Sequence, residues 1–506
     1  MKIFDQIKIT APKRNKFDLS HERKMSMNMG ELVPIVCQEI VPGDSFRVNS
    51  EILLRMAPML APIMHRVNVF THYFFVPNRI IWNEWEDFIT AGANGLSNPV
   101  HPQMQVGVLY ETYTRKGSLL DYFGIPPTNG AGITNPREVS LLPFRAYQTI
   151  YNEYYRDQNL INPIEFSLGS GGDTIPHVQN LLTLRKRAWE KDYLTSALPF
   201  AQRGGSVSSP LDIDVTYRTS SDYYRSDGST PNAGPPDLTG GKMYDTAPAS
   251  ALRVENIDEA TGGLNINELR RSVRLQEWLE KNARAGARYV EQILAHFGVR
   301  SSDARLQRPE YLGGGKSPVV MSEVLSTAET TSIPQGNMAG HGLSVGRSNT
   351  FSKSFEEHGF VIGIMSVLPK TAYQQNINKM WRRFDRFDYF WPEFANIGEQ
   401  AVKTEEAYHD WYNATSPDST FGFQSRYAEY KYQPDTVHGD FRDNLAYWHE
   451  GRIFNAAPVL NESFVTADPS HRIFAVDDPD IDKLYVQIYN RIDALRPMPY
   501  FGTPQL

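Results

Sequence analysis

Hydrophobic and polar positions alternate with a period of two from Asp44 onward. Phe46, Val48, Ile52, Leu54 and Met56 share one parity, while Arg47, Asn49, Glu51 and Arg55 share the other; Leu53 is the exception. Successive side chains of a strand point to opposite faces, so this stretch predicts a half-buried β-strand. Pro58 and Pro62 break the run. Residues 66–76, RVNVFTHYFFV, are apolar at both parities and predict a central strand covered on both faces, with Pro77 as its stop. HGFVIGIMSVL at 358–368 has the same two-sided character. Residues 484–492 alternate again, with Leu484, Val486, Ile488 and Ile492 on one side and Tyr485, Gln487, Tyr489 and Arg491 on the other.

The middle of the chain changes period. Phe144, Tyr147, Tyr151 and Tyr154 recur at spacings of three and four, which predicts a helix over 143–157. Residues 267–297 predict a helical pair, with Leu269, Val273 and Trp278 in the first helix and Tyr289, Ile293 and Phe297 in the second. Gly298 is placed as its C-terminal stop. Trp82, Trp85 and Phe88 predict a short helix with an aromatic face. No internal repeat is visible. Strands at both ends and helices between them predict one mainly β domain over 1–506, a sandwich with long loop insertions, in preference to several separate domains. Segment 204–263 follows neither period and contains GGSVSSP, SDGSTPNAGPPDLTGG and ATGG. Strand-rich sequence on both sides makes it a surface insertion rather than a linker, and loops of this length are functional or disordered.

Composition supports this picture. Hydrophobic residues are 41% of the 506, enough for a sizeable core, and 12% aromatics with 36 glycines and 33 prolines favour strands joined by turns. The formal charge of −7 argues against a chain that wraps nucleic acid unaided. Residues 1–30 differ. Seven basic residues face three acidic ones within 1–24, and the stretch reads as a basic arm rather than a folded layer. Lys13, Arg14 and Lys16 are its candidate contacts to DNA or to an internal partner. The lone Cys37 excludes an intrachain disulfide and a cysteine-built zinc site, and is expected as a small buried apolar side chain. Neither a signal peptide nor an apolar run of roughly 18 residues is present, so synthesis in a cytoplasm and no membrane insertion are expected.

The motifs that suggest chemistry lack their contexts. GGGKS at 313–317 would need a glycine where Glu310 stands, and is expected to be a flexible turn. Gly342-Leu-Ser344-Val-Gly346 fits the nucleophile pattern, yet neither the strand before it nor the helix after it can be read from its flanks. His21-Glu22 and His449-Glu450 begin a zinc motif that closes on Met25 and Ile453 instead of histidine. Trp381-Arg-Arg-Phe-Asp-Arg-Phe-Asp-Tyr-Phe-Trp391 could stack on unpaired bases, but Asp385 and Asp388 can pair with its arginines, and a packed segment or subunit contact is the plainer expectation. No catalytic residue, metal ligand or cofactor site emerges.

Several blocks, in order along the chain, resemble one family. They are FDLSHERKMSMNMGELVPIVCQEIVPGDSFRVN, YFFVPNRIIWNEWEDFITAG, LPFRAYQTIYNEYYRDQNL, RKRAWEKDYLTSALPFAQRG, ARAGARYVEQILAHFGVRSSDARLQRPEYLGG, PQGNMAG, RFDYFWPEFANIGEQAV and the closing RPMP. The set is similar to the major capsid proteins of microviruses, small tailless single-stranded-DNA phages, nearest the gokushovirus-like branch. The resemblance implies an eight-stranded antiparallel jelly roll. It implies a T=1 icosahedral shell of identical copies around circular single-stranded DNA. Internal scaffolding protein, DNA pilot protein, a small basic DNA-binding protein and a host surface receptor are the implied partners, and no cofactor is implied. Segment 204–263 sits where the family carries an insertion that projects at the threefold axis, though its sequence does not match. A carbohydrate-binding or carbohydrate-active β-sandwich and a surface adhesin are the competing readings of the residues.

Overall fold

In the computed structural model, residues 13–501 are described apart from 107, 129–135, 206–222, 226–236, 240–241, 245–251, 255–265, 287, 328–335, 349 and 413–418. The frame is built from strands β1 (Asn15–Asp18), β2 (His21–Met27), β3 (Val33–Ile40), β4 (Ser45–Met56), β5 (Val67–Pro77), β6 (Glu310–Pro318), β7 (Val320–Leu325), β8 (Met338–Arg347), β9 (Phe351–Ser354), β10 (Gly359–Pro369) and β11 (Leu484–Arg496). All pair antiparallel in two sheets. One runs β7-β8-β4-β11, with β9 continuing the line of β8 along β4; the other runs β6-β5-β10-β3. Counting β8 and β9 as one interrupted strand, and β1 and β2 as another, the frame is five strands facing four, and the chain crosses repeatedly between the sheets.

The alternation seen in the sequence decides which faces are wet. In β11 the inward set Leu484, Val486, Ile488 and Ile492 is buried while Tyr485, Gln487, Tyr489 and Arg491 are exposed. In β4 the set Phe46, Val48, Ile52, Leu54 and Met56 is buried, and Arg47, Glu51 and Arg55 are exposed. That sheet therefore has one solvated face. The central strands β5 and β10 of the second sheet are dry on both. Odd positions of β5 and β10, among them Val69, Tyr73, Phe75, Val361, Met365 and Val367, join the core between the sheets. Even positions Phe74, Val76, Ile362 and Ile364 join a second core on the far side. That second core is closed by Trp82 and by helix α1 (Leu142–Ile150), which continues as a π turn over Tyr151–Tyr155, and by α2 (Ile175–Leu182). The aromatic spacing over 143–157 thus marks a helix laid on the sheet.

The arm does not stand apart as the sequence led us to expect. Residues 1–12 lie outside the described residues, but β1 and β2 pair with β11 from Asn15 opposite Arg496 to Met27 opposite Leu484. The physical reason is that β11 is long and, on the side away from β4, leaves a row of backbone groups that the arm satisfies.

A buried polar network crosses the sandwich. The Tyr73 hydroxyl on β5 donates to Ser50 Oγ on β4 at 2.5 Å, and Ser50 Oγ donates to Asn490 Oδ1 on β11 at 2.6 Å. Asn490 Nδ2 donates to the Ile35 carbonyl at 3.0 Å, and Ser348 Oγ accepts from both the Ser50 amide and Tyr73. Below it, the Asp44 carboxylate takes the Arg496 guanidinium at both oxygens, at 3.2 and 2.9 Å, and accepts the Val41 amide. Asp44 is fully buried.

The chain divides into two compact units, residues 1–201 with 285–506, and residues 202–284. Most of 204–263 lies outside the described residues. What is described there is two short antiparallel ladders, Tyr223–Arg225 with Leu252–Val254 and Asp237–Thr239 with Lys242–Tyr244. Helix α3 (Ile266–Ala285) follows, and α4 (Tyr289–Phe297) ends at Gly298 in the left-handed region, φ 69°. The expected helical pair is therefore present. Between β10 and β11 the chain is mostly loop and single 3-10 turns, held by a third core around Tyr193, Tyr373, Phe421 and Phe464.

Asn490→Leu should lower stability although it adds apolar surface at a buried site. It leaves Ser50 and the Ile35 carbonyl without their partner, a cost of about 1–3 kcal/mol for each buried group left unpaired. Denaturant unfolding checks this; a variant as stable as the parent would show that the network contributes nothing.

Candidate functional site

The sequence motifs lose their chemical meaning in the fold. GGGKS is not a flexible turn: it is the middle of β6, paired with β5 from Tyr73 to Val69. The glycines serve packing, since a Cβ on Gly314 would lie 2.5 Å from the Thr71 carbonyl oxygen and from the His72 ring. Lys316 Nζ binds Glu190 at 2.9 Å. Ser344 lies mid-strand in β8, nearly buried, with Oγ donating to the Pro318 carbonyl at 2.9 Å; no elbow holds it. His449 Nε2 bonds the Phe441 carbonyl at 2.7 Å and Nδ1 accepts the Gly451 amide at 2.9 Å, so its ring braces a loop. Among the described residues no group of three or more His, Cys, Asp or Glu is arranged to hold a metal. Cys37 is partly rather than fully covered, against the second core, and burial pushes its thiol up to about 12.

Two cavities gather titratable side chains. One of about 640 Å³ brings together His65, Arg66, Lys370, Asp435, His438 and His449. Its polar groups are tied to the chain itself: His65 Nε2 donates to the Lys370 carbonyl at 2.5 Å and Arg66 pairs with Asp435 at 3.6 Å. Burial holds the His65 ring down to about 4, so it stays neutral at ordinary pH. The other, about 730 Å³, is walled by Phe74, Tyr154, Tyr155 and Tyr311. There His72 Nδ1 meets the Tyr155 hydroxyl at 2.8 Å and burial lowers His72 to about 4. In both, burial lowers the histidine and its ring is tied to a group of the chain itself.

What the surface offers instead is contact. Lys13, Arg14 and Lys16 are exposed at the start of β1, and Lys16 Nζ lies 2.8 Å from Asp493. The loops carry exposed rings, above all in the aromatic-basic segment. Its arginines do not pair with Asp385 and Asp388 as the sequence suggests. Arg382 binds Glu405 at 2.9 Å and Arg383 binds Glu429 at 3.3 Å, carboxylates brought from elsewhere in the chain. Asp388 accepts the amides of Phe384 and Asp385, which also lower its carboxyl below the usual range. Side chains this close in sequence compete with local backbone amides, and the amides win here. The buried Tyr427 and the exposed Tyr430, which complete the array, could not be found from spacing because they arrive from 36 and 40 residues away.

The capsid protein (F protein) family matches residues 5–506. The chain belongs to that family. It is 35% identical to the capsid protein VP1 of Chlamydia phage 1, covering 99% of this chain and 97% of the relative. It is 36% identical to the capsid protein VP1 of Bdellovibrio phage phiMH2K over the same shares. The capsid protein VP1 of Spiroplasma virus 4 is 30% identical, over 97% of this chain and 95% of that one. The resemblance read from the ordered blocks is therefore borne out over essentially the whole chain. This is a structural protein of a phage virion, not an enzyme, and a capsid subunit of the microvirus kind. For a shell subunit the surfaces matter more than any cavity.

One buried group gives such a subunit a pH response. Glu450 is buried beside Arg472; Ser470 Oγ donates to its Oε2 at 3.3 Å and Oε1 has no hydrogen-bond partner. Burial outweighs the arginine and raises its carboxyl to about 8. Glu31 is raised to about 7 by burial as well. A raised folded value means that the folded chain keeps a proton which the unfolded chain releases above the ordinary carboxylate range. The associated stability is full below that range and is lost as pH rises toward 8, by up to about 1.4 kcal/mol per pH unit for one proton. Glu450→Gln should flatten the decline in melting temperature between pH 5 and 8; an unchanged slope would show that Glu450 is ionised in the folded chain.

Proposed function

We propose that the chain builds a T=1 icosahedral shell around circular single-stranded DNA, with its frame acting as a jelly roll. The observation that carries this is the frame itself: a seven-stranded and a four-stranded antiparallel sheet, crossed repeatedly by a chain whose long loops lie outside the core. A rigid sandwich with variable loops is what close tiling of identical copies needs. The match to capsid proteins along the full length supports the same reading. Internal scaffolding protein, DNA pilot protein and a small basic DNA-binding protein are the proposed helpers. A net charge of −7 leaves the chain short of cations for the genome, so a basic helper is chemically apt. No helix among the described residues is long and apolar enough to cross a membrane. The test is sedimentation of the purified chain: megadalton particles or stalled pentamers support the shell, and a species that stays at 57.5 kDa under all assembly conditions overturns it.

Within this reading, Lys13, Arg14 and Lys16 meet DNA or an internal partner. Neutralising all three should weaken genome retention more than folding, and each lost phosphate contact should lower the salt slope by about one. Lys16 should matter least, because Asp493 already holds it. Unchanged genome content and salt stability in the triple variant would remove the arm from the DNA contact.

Segment 204–263 is proposed as a protrusion at the threefold axis and as the host-attachment element, facing a surface receptor. Its described ladders pair only with one another, which supports an insertion separable from the sandwich. Replacing 206–262 by a short Gly/Ser linker should leave the melting temperature of the frame nearly unchanged, since closure entropy grows only with the logarithm of length. Adsorption to host cells should fall. Aggregation of the shortened chain would make the segment core, and normal adsorption would clear it of attachment.

A further inference from the structure

The segment from Met380 to Ile397, with Tyr430 and Tyr432, is too apolar for a surface that stays wet. Trp381 is 69% exposed and Phe384 80%, and Tyr432 62%. Eight rings of the array are more than a third exposed. At roughly 200 Å² per ring, about half uncovered, they present on the order of 900 Å² of aromatic surface. The largest apolar patch of an ordinary monomer is about 300–600 Å².

This exposure belongs to a pinned surface. Single 3-10 turns at Lys379–Arg382, Arg386–Asp388 and Pro392–Phe394 carry the rings. Asp388 holds the amides of Phe384 at 3.0 Å and Asp385 at 2.8 Å. The Phe390 and Trp391 amides donate to the hydroxyls of Tyr430 and Tyr427, each at 3.2 Å, and Trp391 Nε1 donates to the Arg386 carbonyl at 2.8 Å. Phe390 packs edge-on against Tyr427 with centroids 4.9 Å apart. Rings fixed in this way lose little freedom on docking, which is the character of an interface hot spot.

Charge decides between partners. A strand of DNA needs cations free to meet phosphates. Arg383 is nearly buried, pairs with Glu429, and lies 4.0 Å from the Tyr430 ring centroid. Arg382 is committed to Glu405. Across Met380–Ile397 three arginines face Asp385, Asp388 and Glu393, so the segment's formal charge is zero. A neutral, rigid, ring-rich face fits protein. The exposed area also matches the about 800 Å² that each partner contributes to a specific interface.

We propose that this aromatic face is a contact by which one copy of the chain docks on another. The inference rests on the shell reading, in which every copy is surrounded by copies. Hydroxyl-radical footprinting of the wild-type chain tests it without altering the fold, by comparing dissociated subunits, empty particles and filled particles. Oxidation of Trp381, Phe384 and Trp391 should fall at least five-fold on assembly, equally with and without DNA. Unchanged oxidation on assembly overturns the proposal, and so does protection seen only in filled particles, which would give the face to nucleic acid. The variant Trp381→Glu/Phe384→Glu should remain soluble with an unchanged melting temperature and yield less than a tenth of the wild-type particles. Wild-type yield from that variant overturns the proposal while leaving the shell reading intact. If the wild-type chain itself forms no particle or oligomer, the shell reading fails, and this inference with it.

Discussion

The rest of the structure depends on the pairing of β11 with β4 and with the arm. Leu484–Leu495 lies opposite Ser45–Met56 on one edge, and the same strand carries Asn15–Asp18 and His21–Met27 on the other. Residues more than 400 positions apart are thereby joined in one sheet. Register is critical, because a one-residue slip would turn the inward set Val486, Ile488 and Ile492 to solvent. Two polar devices reinforce the correct pairing. Asn490 meets Ser50 only in this register, and Arg496 reaches the buried carboxylate of Asp44 only when the last strand runs its full length. The sandwich therefore closes late in the chain, and the long excursions between strands are carried by a frame that its own ends complete.

That frame divides the labour of a shell subunit. The β6-β5-β10-β3 sheet is dry on both faces of its central strands β5 and β10, which gives rigidity; the other sheet keeps one wet face lined by Arg47, Glu51, Arg55 and Gln487. Outside the frame, loops from 370 to 483 surround a small core and are anchored by side chains as well as by two short ladders. Asp192 takes the hydroxyls of Thr371 and Tyr373, and Arg472 donates to the carbonyls of Ala446, His449 and Gly451. Such loops can present rings to neighbours while the sheets stay fixed. Glu450, whose acidity is shifted by burial, belongs to this bracing and not to a reactive centre.

Periodicity made the frame legible. Strands at 44–56, 66–76, 358–368 and 484–492 and helices at 143–157 and 267–297 all follow from one- or two-sided burial, and each appears within a few residues of its expected place. What spacing could not reveal depends on contacts distant in sequence. GGGKS looks like a turn locally, yet the unpaired edge of β5 draws it into a strand. Arg383 has two aspartates within five residues but is claimed by Glu429. Lys13, Arg14 and Lys16 look like a loose arm, while β11 recruits Lys16 itself and the segment that follows it. The candidate site was half visible: the aromatic run stood out by composition, but its partners Tyr427 and Tyr430 and its fixed geometry come only with the fold.

The most direct test of the account is an electron cryo-microscopy reconstruction of the particle formed by this chain. The account predicts a closed T=1 shell whose wall is the two-sheet sandwich, with residues 1–18 on the inner surface beside the genome and 204–263 projecting outward. A reconstruction with the arm outside and the insertion inside, or a chain that forms no closed particle, would contradict it.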